Sequence, residues 1–255
     1  MQVKECIAVV TGGASGLGEA VVRSLCAQGA RAAIFDVAVE RGEKLAADLG
    51  ASCIFVPADV TSDESSRAAV ERTMTAFGTI NVAVNCAGVA DPGKVLSKKG
   101  PLSLASYNRV IQINLVGTFN IIRLAVEQMV KNAPNGEGEK GVIINTASAA
   151  AFDGQIGQPA YSASKAGVVG MTLPIARECA DYGIRVMTIA PGLFETPMMA
   201  SLPENVRVQL AQSAPFPKRL GRPAEFAALV GHIIENPMLN GECIRLDGAV
   251  RMTAR

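Results

Sequence analysis

The chain has 255 residues, a formal net charge of +1 and 49% hydrophobic residues, enough to bury a substantial core. The near-neutral charge excludes the basic footprint expected for nucleic acid or an anionic membrane, and no apolar run is expected to act as a bilayer span. The six cysteines form no CxxC pair and the single histidine excludes HExxH and argues against a Ser-His-Asp triad.

MQVKECIAVVTGG passes straight into an apolar strand and a glycine turn, so no signal peptide is expected ahead of the fold. Cys6, Cys26, Cys53, Cys86, Cys179 and Cys243 are scattered. They read as reduced thiols of a cytoplasmic compartment, or of a mitochondrial matrix if the source is eukaryotic, with no metal site. His232 reads as an ordinary helix-surface residue.

ECIAVVT is β-branched and closed by glycines, which predicts a buried strand. LGEAVVRSLCAQGA follows at helical spacing and stops at Gly29. RAAIFD is the second strand, VERGEKLAADLG a charged amphipathic helix and CIFVPAD the third strand. TSDESSRAAVERTMTAFG opens with capping residues and continues as a helix. INVAVN is the fourth strand, followed by a loop over 88–103 and a long helix from Leu104 to Lys131. GVIINTAS, a helix over 158–182, IRVMTIAP and ECIRLDG complete the pattern, with two shorter helices before the last strand. Repeated strand–helix units imply right-handed parallel crossovers. The expected fold is α/β: a single Rossmann-like domain over 1–255, with a doubly wound parallel sheet of about seven strands and helices on both faces. Ligands of such sheets bind at the carboxyl ends of the strands.

TGGASGLG sits between the first strand and the first helix, so its backbone and the helix N-terminus suit a pyrophosphate. Gly12, Ser15, Gly16, Leu17 and Gly18 are the candidate contacts. Asp36 ends the second strand, where an acidic group receives ribose hydroxyls and repels a 2′-phosphate; the expected cofactor is NAD. A ligand-free glycine turn and a plain helix-capping aspartate are the alternatives.

YSASK places Tyr161 and Lys165 on one helix face, just beyond Ser148 at the end of the fifth strand. Tyr followed by Lys four residues on also arises by chance, and the location gives this pair its meaning. A phenol is a poor base at its ordinary pKa near 10, and a neighbouring ammonium favours the phenolate.

TGGASGLG, the NCAG at 85–88, Asn114, Ser148, YSASK and the PG at 191–192 resemble, in order and over nearly the whole chain, the short-chain dehydrogenase/reductase family. Cys86 departs from the asparagine usual there. The resemblance implies that Ser148 bonds the substrate oxygen, Tyr161 exchanges the hydroxyl proton, and Lys165 tunes Tyr161 and holds the nicotinamide ribose. Asn114 would hold a water linked to Lys165. Asp59 and Val60 would contact adenine, and Asn85, Cys86, Ala87 and Gly88 the ribose. Pro191, Gly192, Phe194 and Thr196 would lie on the nicotinamide side. A homotetramer is also implied, in keeping with long helices that are apolar on several faces.

Phe152 to Gln158, GMTLPIAR, GIRVMTIAPGLF, NGECIRLDGA and the long loop DPGKVLSKKG resemble members of the family that oxidise (S)-3-hydroxyacyl-CoA with NAD. This implies an acyl-CoA substrate and adds Gln155 to the substrate contacts. Lys94, Lys98 and Lys99 read either as a solvated loop or as partners of CoA phosphates. Residues 195–220 are expected to form a substrate lid in which Met198, Met199 and Leu202 line an adaptable pocket or pack on the core. An NADPH-linked 3-oxoacyl-[acyl-carrier-protein] reductase, a steroid or other alcohol dehydrogenase, and a non-catalytic dinucleotide-binding scaffold are the competing readings.

Overall fold

The computed structural model describes residues 1–200 and 203–254. Strands β1 (Ile7–Thr11), β2 (Arg31–Asp36), β3 (Cys53–Pro57), β4 (Val82–Asn85), β5 (Gly141–Thr146), β6 (Ile184–Pro191) and β7 (Cys243–Leu246) form one sheet in the order 3-2-1-4-5-6-7. Every neighbouring pair is parallel. Direction reverses between β1 and β4, so the ligand crevice opens beyond their carboxyl ends.

Alternate side chains of each strand feed opposite faces. Ala8, Val10, Ile34, Val84, Ile144 and Met187 face one layer, with Val22 and Leu25 of α1 (Gly16–Ala27), Leu45 of α2 (Val39–Leu49) and Phe226 of α9 (Pro223–Glu235). Val9, Ala33, Phe35, Ala83, Ile143 and Val186 face the other. There they meet Val70 of α3 (Asp63–Phe77), Ile121 of α5 (Gly117–Met129) and Ala176 of α6 (Pro159–Ala180). Full burial of one such Ile or Phe contributes about 1.5–3 kcal/mol. Helix α3 starts where the Ser62 hydroxyl accepts from Ser65 N at 3.2 Å, and ends at Gly78, whose φ of +82° suits only a residue without Cβ constraint.

Four expectations need correction. The long helix from Leu104 is not uniform: α4 (Leu104–Ile111) passes into a π-helical turn, Gln112–Val116, before α5. Its 26-residue span Leu104–Met129 is long and apolar enough to cross a bilayer, contrary to the sequence reading, but half of the window is buried inside the fold. Among the described residues, the segment before β7 holds three helices rather than two, α7 (Pro197–Ala200), α8 (Glu204–Ser213) and α9. Inside the 88–103 loop, Leu96–Ser97 pairs antiparallel with Gly100–Pro101 in a small hairpin. His232 lies exposed on α9, with its Nε2 3.3 Å from the Asn236 amide.

Candidate active site

The glycine loop is built by close backbone approach. A Cβ on Gly12 would stand 2.8 Å from Ala87 N, and one on Gly18 would stand 2.3 Å from the Gly12 carbonyl oxygen. Gly12 and Gly16 have φ of +62° and +57°, which glycine adopts without strain. The Thr11 hydroxyl accepts from Cys86 N at 3.2 Å and Ala87 N at 3.1 Å, so the β4 turn with Asn85, Cys86, Ala87 and Gly88 is clamped beside the loop. Ser15 occupies the N-cap of α1 without capping it through its side chain. The N–H groups of the first turn, including those of Leu17 and Gly18, are therefore available to an anion.

Asp36 accepts from Ala14 N at 3.1 Å and Ala38 N at 2.9 Å. It thus ties the glycine loop to the start of α2, and a carboxylate keeps further acceptor capacity after two such bonds. The two backbone bonds leave room for the expected ribose contact. The uncapped helix start, a loop in which Cβ atoms cannot be fitted and an acidic strand end form a set that fits a nicotinamide dinucleotide. Asp59 accepts from Thr61 N and the Thr61 hydroxyl in a turn beyond β3, and Val60 is buried against Gly117.

On the other side of the crevice, Pro191 ends β6 and Gly192 N donates to Leu246 O at 2.9 Å. Phe194 is turned into the core, where its ring packs over Gly221. The Thr196 hydroxyl accepts from Met199 N at 3.3 Å, and Thr196 with Pro197 passes over Gly16. The start of the expected lid therefore lies across the dinucleotide loop. Leu202 and the side chain of Met198 lie outside the described residues.

Helix α6 starts with Pro159 at its first turn, a position that needs no N–H bond. One turn of α6 separates Tyr161 from Lys165, and the lysine nitrogen stands 5.9 Å from the tyrosine ring centroid. Lys165 is buried and donates to the Thr146 carbonyl at 2.7 Å. Burial lowers its ammonium to about 8, with the nearby Cys86 acting in the opposite sense. Burial raises the Tyr161 phenol above its ordinary value, while a hydrogen bond from Ser148 pulls the other way. The net direction is opposite to that expected from an ammonium neighbour, because desolvation of the phenolate dominates. Ser148 itself caps a 3-10 turn, Ala149–Ala151, and accepts from Ala150 N at 3.1 Å.

Asn114 lies in the π-helical turn and is fully buried. Its amide oxygen accepts from Val89 N at 2.8 Å, and its amide nitrogen donates to Val89 O at 2.9 Å and the Ser164 hydroxyl at 3.0 Å. The Asn114 side chain is thus committed to the backbone that follows NCAG and to Ser164. Gln155 borders an open cleft of about 540 Å³, shared with Lys94, Leu96, Ile156 and Ser162. Its amide nitrogen donates to Thr253 O at 3.2 Å. Lys94 reaches that cleft, whereas Lys98 and Lys99 sit exposed at the hairpin turn.

Several supporting groups carried no sequence signal. The Thr146 carbonyl is backbone, and the Thr11 hydroxyl ends an ordinary strand. Asn145 in β5 lies opposite Asn85 of the NCAG motif in β4 and accepts a buried hydrogen bond of 2.9 Å from its amide nitrogen; no motif named Asn145, and a polar residue ending an apolar run was the only hint. The 152–158 loop is held by Arg245, which donates to Asp153 at 2.6 Å and lies 5.0 Å from the Phe152 ring centroid.

Residues 6–207 match the family model for short chain dehydrogenase. The chain is 58% identical over 252 residues to 3-hydroxyacyl-CoA dehydrogenase type-2 of Homo sapiens, covering 98% of this chain and 97% of that one. It is 55% identical to the Drosophila melanogaster protein of the same name, covering 98% and 99%. A crystal structure of 3-hydroxyacyl-CoA dehydrogenase type-2 from Mycobacterium avium superposes with a TM-score of 0.95 at 42% identity, covering 99% of this chain and 98% of that one. With its seven-stranded sheet, glycine loop and Ser148, Tyr161 and Lys165 at one strand edge, the chain belongs to the short-chain dehydrogenase family.

Proposed function

We propose that the chain interconverts (S)-3-hydroxyacyl-CoA and 3-oxoacyl-CoA with NAD. The observation that carries the reading is Tyr161 one turn of α6 before buried Lys165, which donates to the Thr146 carbonyl, with Ser148 just past β5, at the carboxyl edge of the sheet and across from the glycine loop. High identity along the whole length to relatives bearing the 3-hydroxyacyl-CoA dehydrogenase name supports the substrate class. Members of the family use NAD or NADP; Asp36 supports NAD, since a carboxylate at the ribose would repel a 2′-phosphate.

Bound NAD would supply the hydride acceptor, held by the residues of the glycine loop, Asp36 and the NCAG turn. The Ser148 hydroxyl donates to the substrate oxygen and fixes it against Tyr161. The Tyr161 oxygen takes the hydroxyl proton in oxidation and returns it in reduction. Lys165, charged at neutral pH, stabilises the phenolate electrostatically and orients the ribose. Gln155 lines the acyl side of the cleft. A homotetramer is part of the reading, supported by Val116, Phe119 and Leu173, which expose 41%, 49% and 44% of their surface on helices of the outer layer.

Steady-state oxidation of (S)-3-hydroxybutyryl-CoA with NAD and with NADP tests this. NAD is expected to be preferred, and Tyr161→Phe is expected to lower kcat by about 10²–10⁴-fold while leaving NAD binding intact. A preference for NADP would favour the reductase reading, and unchanged turnover in the variant would remove the assigned chemistry. Lys94 at the cleft supports a CoA contact. Charge reversal at Lys98 and Lys99 is then expected to raise KM for acyl-CoA far more than for a short acyl thioester lacking the nucleotide. Equal effects on the two would return these lysines to the solvated loop.

A further inference from the structure

The loop 152–158 joins Ser148 to the helix that carries Tyr161. Its sequence, FDGQIGQ, holds a single charge, Asp153. That carboxylate accepts from Arg245 of β7 at 2.6 Å, with both side chains mostly buried. The guanidinium lies 5.0 Å from the Phe152 ring centroid, within range of a cation held by a ring face. It also donates to Asp247 at 2.7 Å and to the Val250 carbonyl at 3.1 Å. One side chain therefore reaches from the turn after β7 to the loop between two residues of the site.

The turn that anchors Arg245 is itself firmly set. Asp247 packs so closely on Gly192 that a Cβ there would stand 2.8 Å from the Asp247 Cβ. Asp247 also accepts from Ala249 N at 3.0 Å and from Arg251 at 3.2 Å. Ala249 has a φ of +64°, the one positive value at a non-glycine among the described residues. Such a conformation persists where the surroundings over-determine it. The chain beyond returns to the same loop: Ile156 N donates to Ala254 O at 3.1 Å, and the Gln155 amide to Thr253 O at 3.2 Å. The cleft side of the loop is held by backbone, with Gly93 N donating to Gly157 O at 2.8 Å and Ser162 N to Gln158 O at 2.8 Å. The loop thus stands between a fixed wall and the open cleft that Gln155 lines.

We infer that Arg245 is a positioning residue for the acyl side of the reaction, an inference that rests on the acyl-CoA reading above. It acts through the loop: it pins Asp153 and Phe152, and so sets where Gln155 stands in the cleft. Its loss has an asymmetric consequence. Asp153 loses the guanidinium that its side chain bonds, whereas Asp247 keeps Ala249 N and Arg251, and Gly192 N keeps Leu246 O at 2.9 Å. The nicotinamide side therefore stays anchored while the acyl side loosens. The proton-transfer groups are held by bonds of their own, Ser148 by Ala150 N and Lys165 by the Thr146 carbonyl. Arg245 therefore governs acyl-CoA binding more than the chemical step.

The test compares the full-length parent with Arg245→Met, Arg245→Lys, Asp153→Ala and the Met/Ala double variant in steady-state oxidation of (S)-3-hydroxybutyryl-CoA by NAD. Arg245→Met is expected to raise KM for the acyl-CoA about tenfold, with KM for NAD within about twofold and kcat within about threefold of the parent. Asp153→Ala, at the other end of the bond, is expected to do the same and to stand in if Arg245→Met folds poorly. The double variant is expected to be no worse than either single one, because both remove one interaction. Arg245→Lys keeps the charge but not the planar fork, and is expected to recover part of the loss. Hydrogen exchange of the free protein is expected to quicken about tenfold in peptides covering 152–158 and to stay unchanged at the glycine loop. An unchanged KM for the acyl-CoA in an active Arg245→Met, or an equal rise in both KM values, would overturn the inference alone. A parent that turns over no acyl-CoA would remove the substrate reading and this inference with it.

Discussion

Lys165 carries charge where charge is costly. Its nitrogen is buried against the Thr146 carbonyl, and burial brings its value to about 8 from an ordinary 10.5. Between those two values the unfolded chain binds more protons than the folded one, so stability rises with pH across that window and is lost as pH falls through about 8. The difference corresponds to about 3 kcal/mol at 1.36 kcal/mol per pKa unit. The raised thiols of Cys86 and Cys243 act in the opposite sense: they keep protons that the unfolded chain loses, which weakens the fold above their ordinary 9.0. The measurement must therefore be a difference. Denaturant unfolding of the parent and of Lys165→Met should show the parent gaining about 2 kcal/mol relative to the variant between about pH 7 and pH 10. Parallel pH profiles would mean that Lys165 is not buried as a cation. Such a variant should also turn over poorly, which separates the two roles of the lysine: it costs stability at neutral pH, and it serves the proton transfer.

At the scale of elements, the π-helical turn between α4 and α5 shows what a sequence conceals. Asn114 was legible as a member of the site because a motif named it. Its position in a widened turn was not, since Gln112–Val116 is as apolar and helix-compatible as its flanks. π-Turns of this kind often mark functional positions in longer helices. Here the turn directs the Asn114 amide onto both polar groups of Val89 and onto Ser164, and the Ser164 hydroxyl donates on to the Tyr161 backbone carbonyl at 2.7 Å. One side chain thus joins the segment after NCAG to the helix that carries Tyr161. Asn114→Leu leaves the Val89 N–H and C=O and the Ser164 hydroxyl to find new partners, at about 1–3 kcal/mol for each buried group that fails. A loss of about 2–4 kcal/mol in unfolding free energy is expected, with a raised KM for the proposed NAD because the turn proposed to meet its ribose is loosened. A stability loss with unchanged KM would confine Asn114 to packing. Strands and their order were more readily legible, since β4, β5 and β6 are buried along their whole length and read as predominantly apolar runs. The loop tied down by Arg245 was not, because its partners, Asp153 and Asp247, are 92 and 2 residues away and no local pattern links them.

For the molecule as a whole, the doubly wound sheet leaves α4, α5 and α6 on the outside of one layer. That layer is only half satisfied by the sheet: Ile121, Ile122, Leu124 and Ala125 of α5 are buried, while Val116 and Phe119 beside them are not. Leu104 at the start of α4 is 70% exposed, and Leu173 on α6 is 44% exposed. Sequence periodicity showed helices apolar on too many faces and could go no further, because the same pattern suits a membrane, a core or a partner. The sheet accounts for one face of each. We propose a self-association surface on the rest, since apolar area left in water costs about 25 cal/mol per Å². A stable contact between copies needs on the order of 1,000 Å², which two adjoining helices can supply. Phe119→Glu places a charge on that face without touching Ser148, Tyr161 or Lys165. Sedimentation velocity should then show the parent as a tetramer and the variant shifted to smaller species at the same concentration. If the helix layer also braces α6, the smaller species should lose thermal stability together with activity. A variant that sediments as the parent does would move the contact to another face, and a parent that sediments as a monomer would leave this apolar layer without a partner of its own kind.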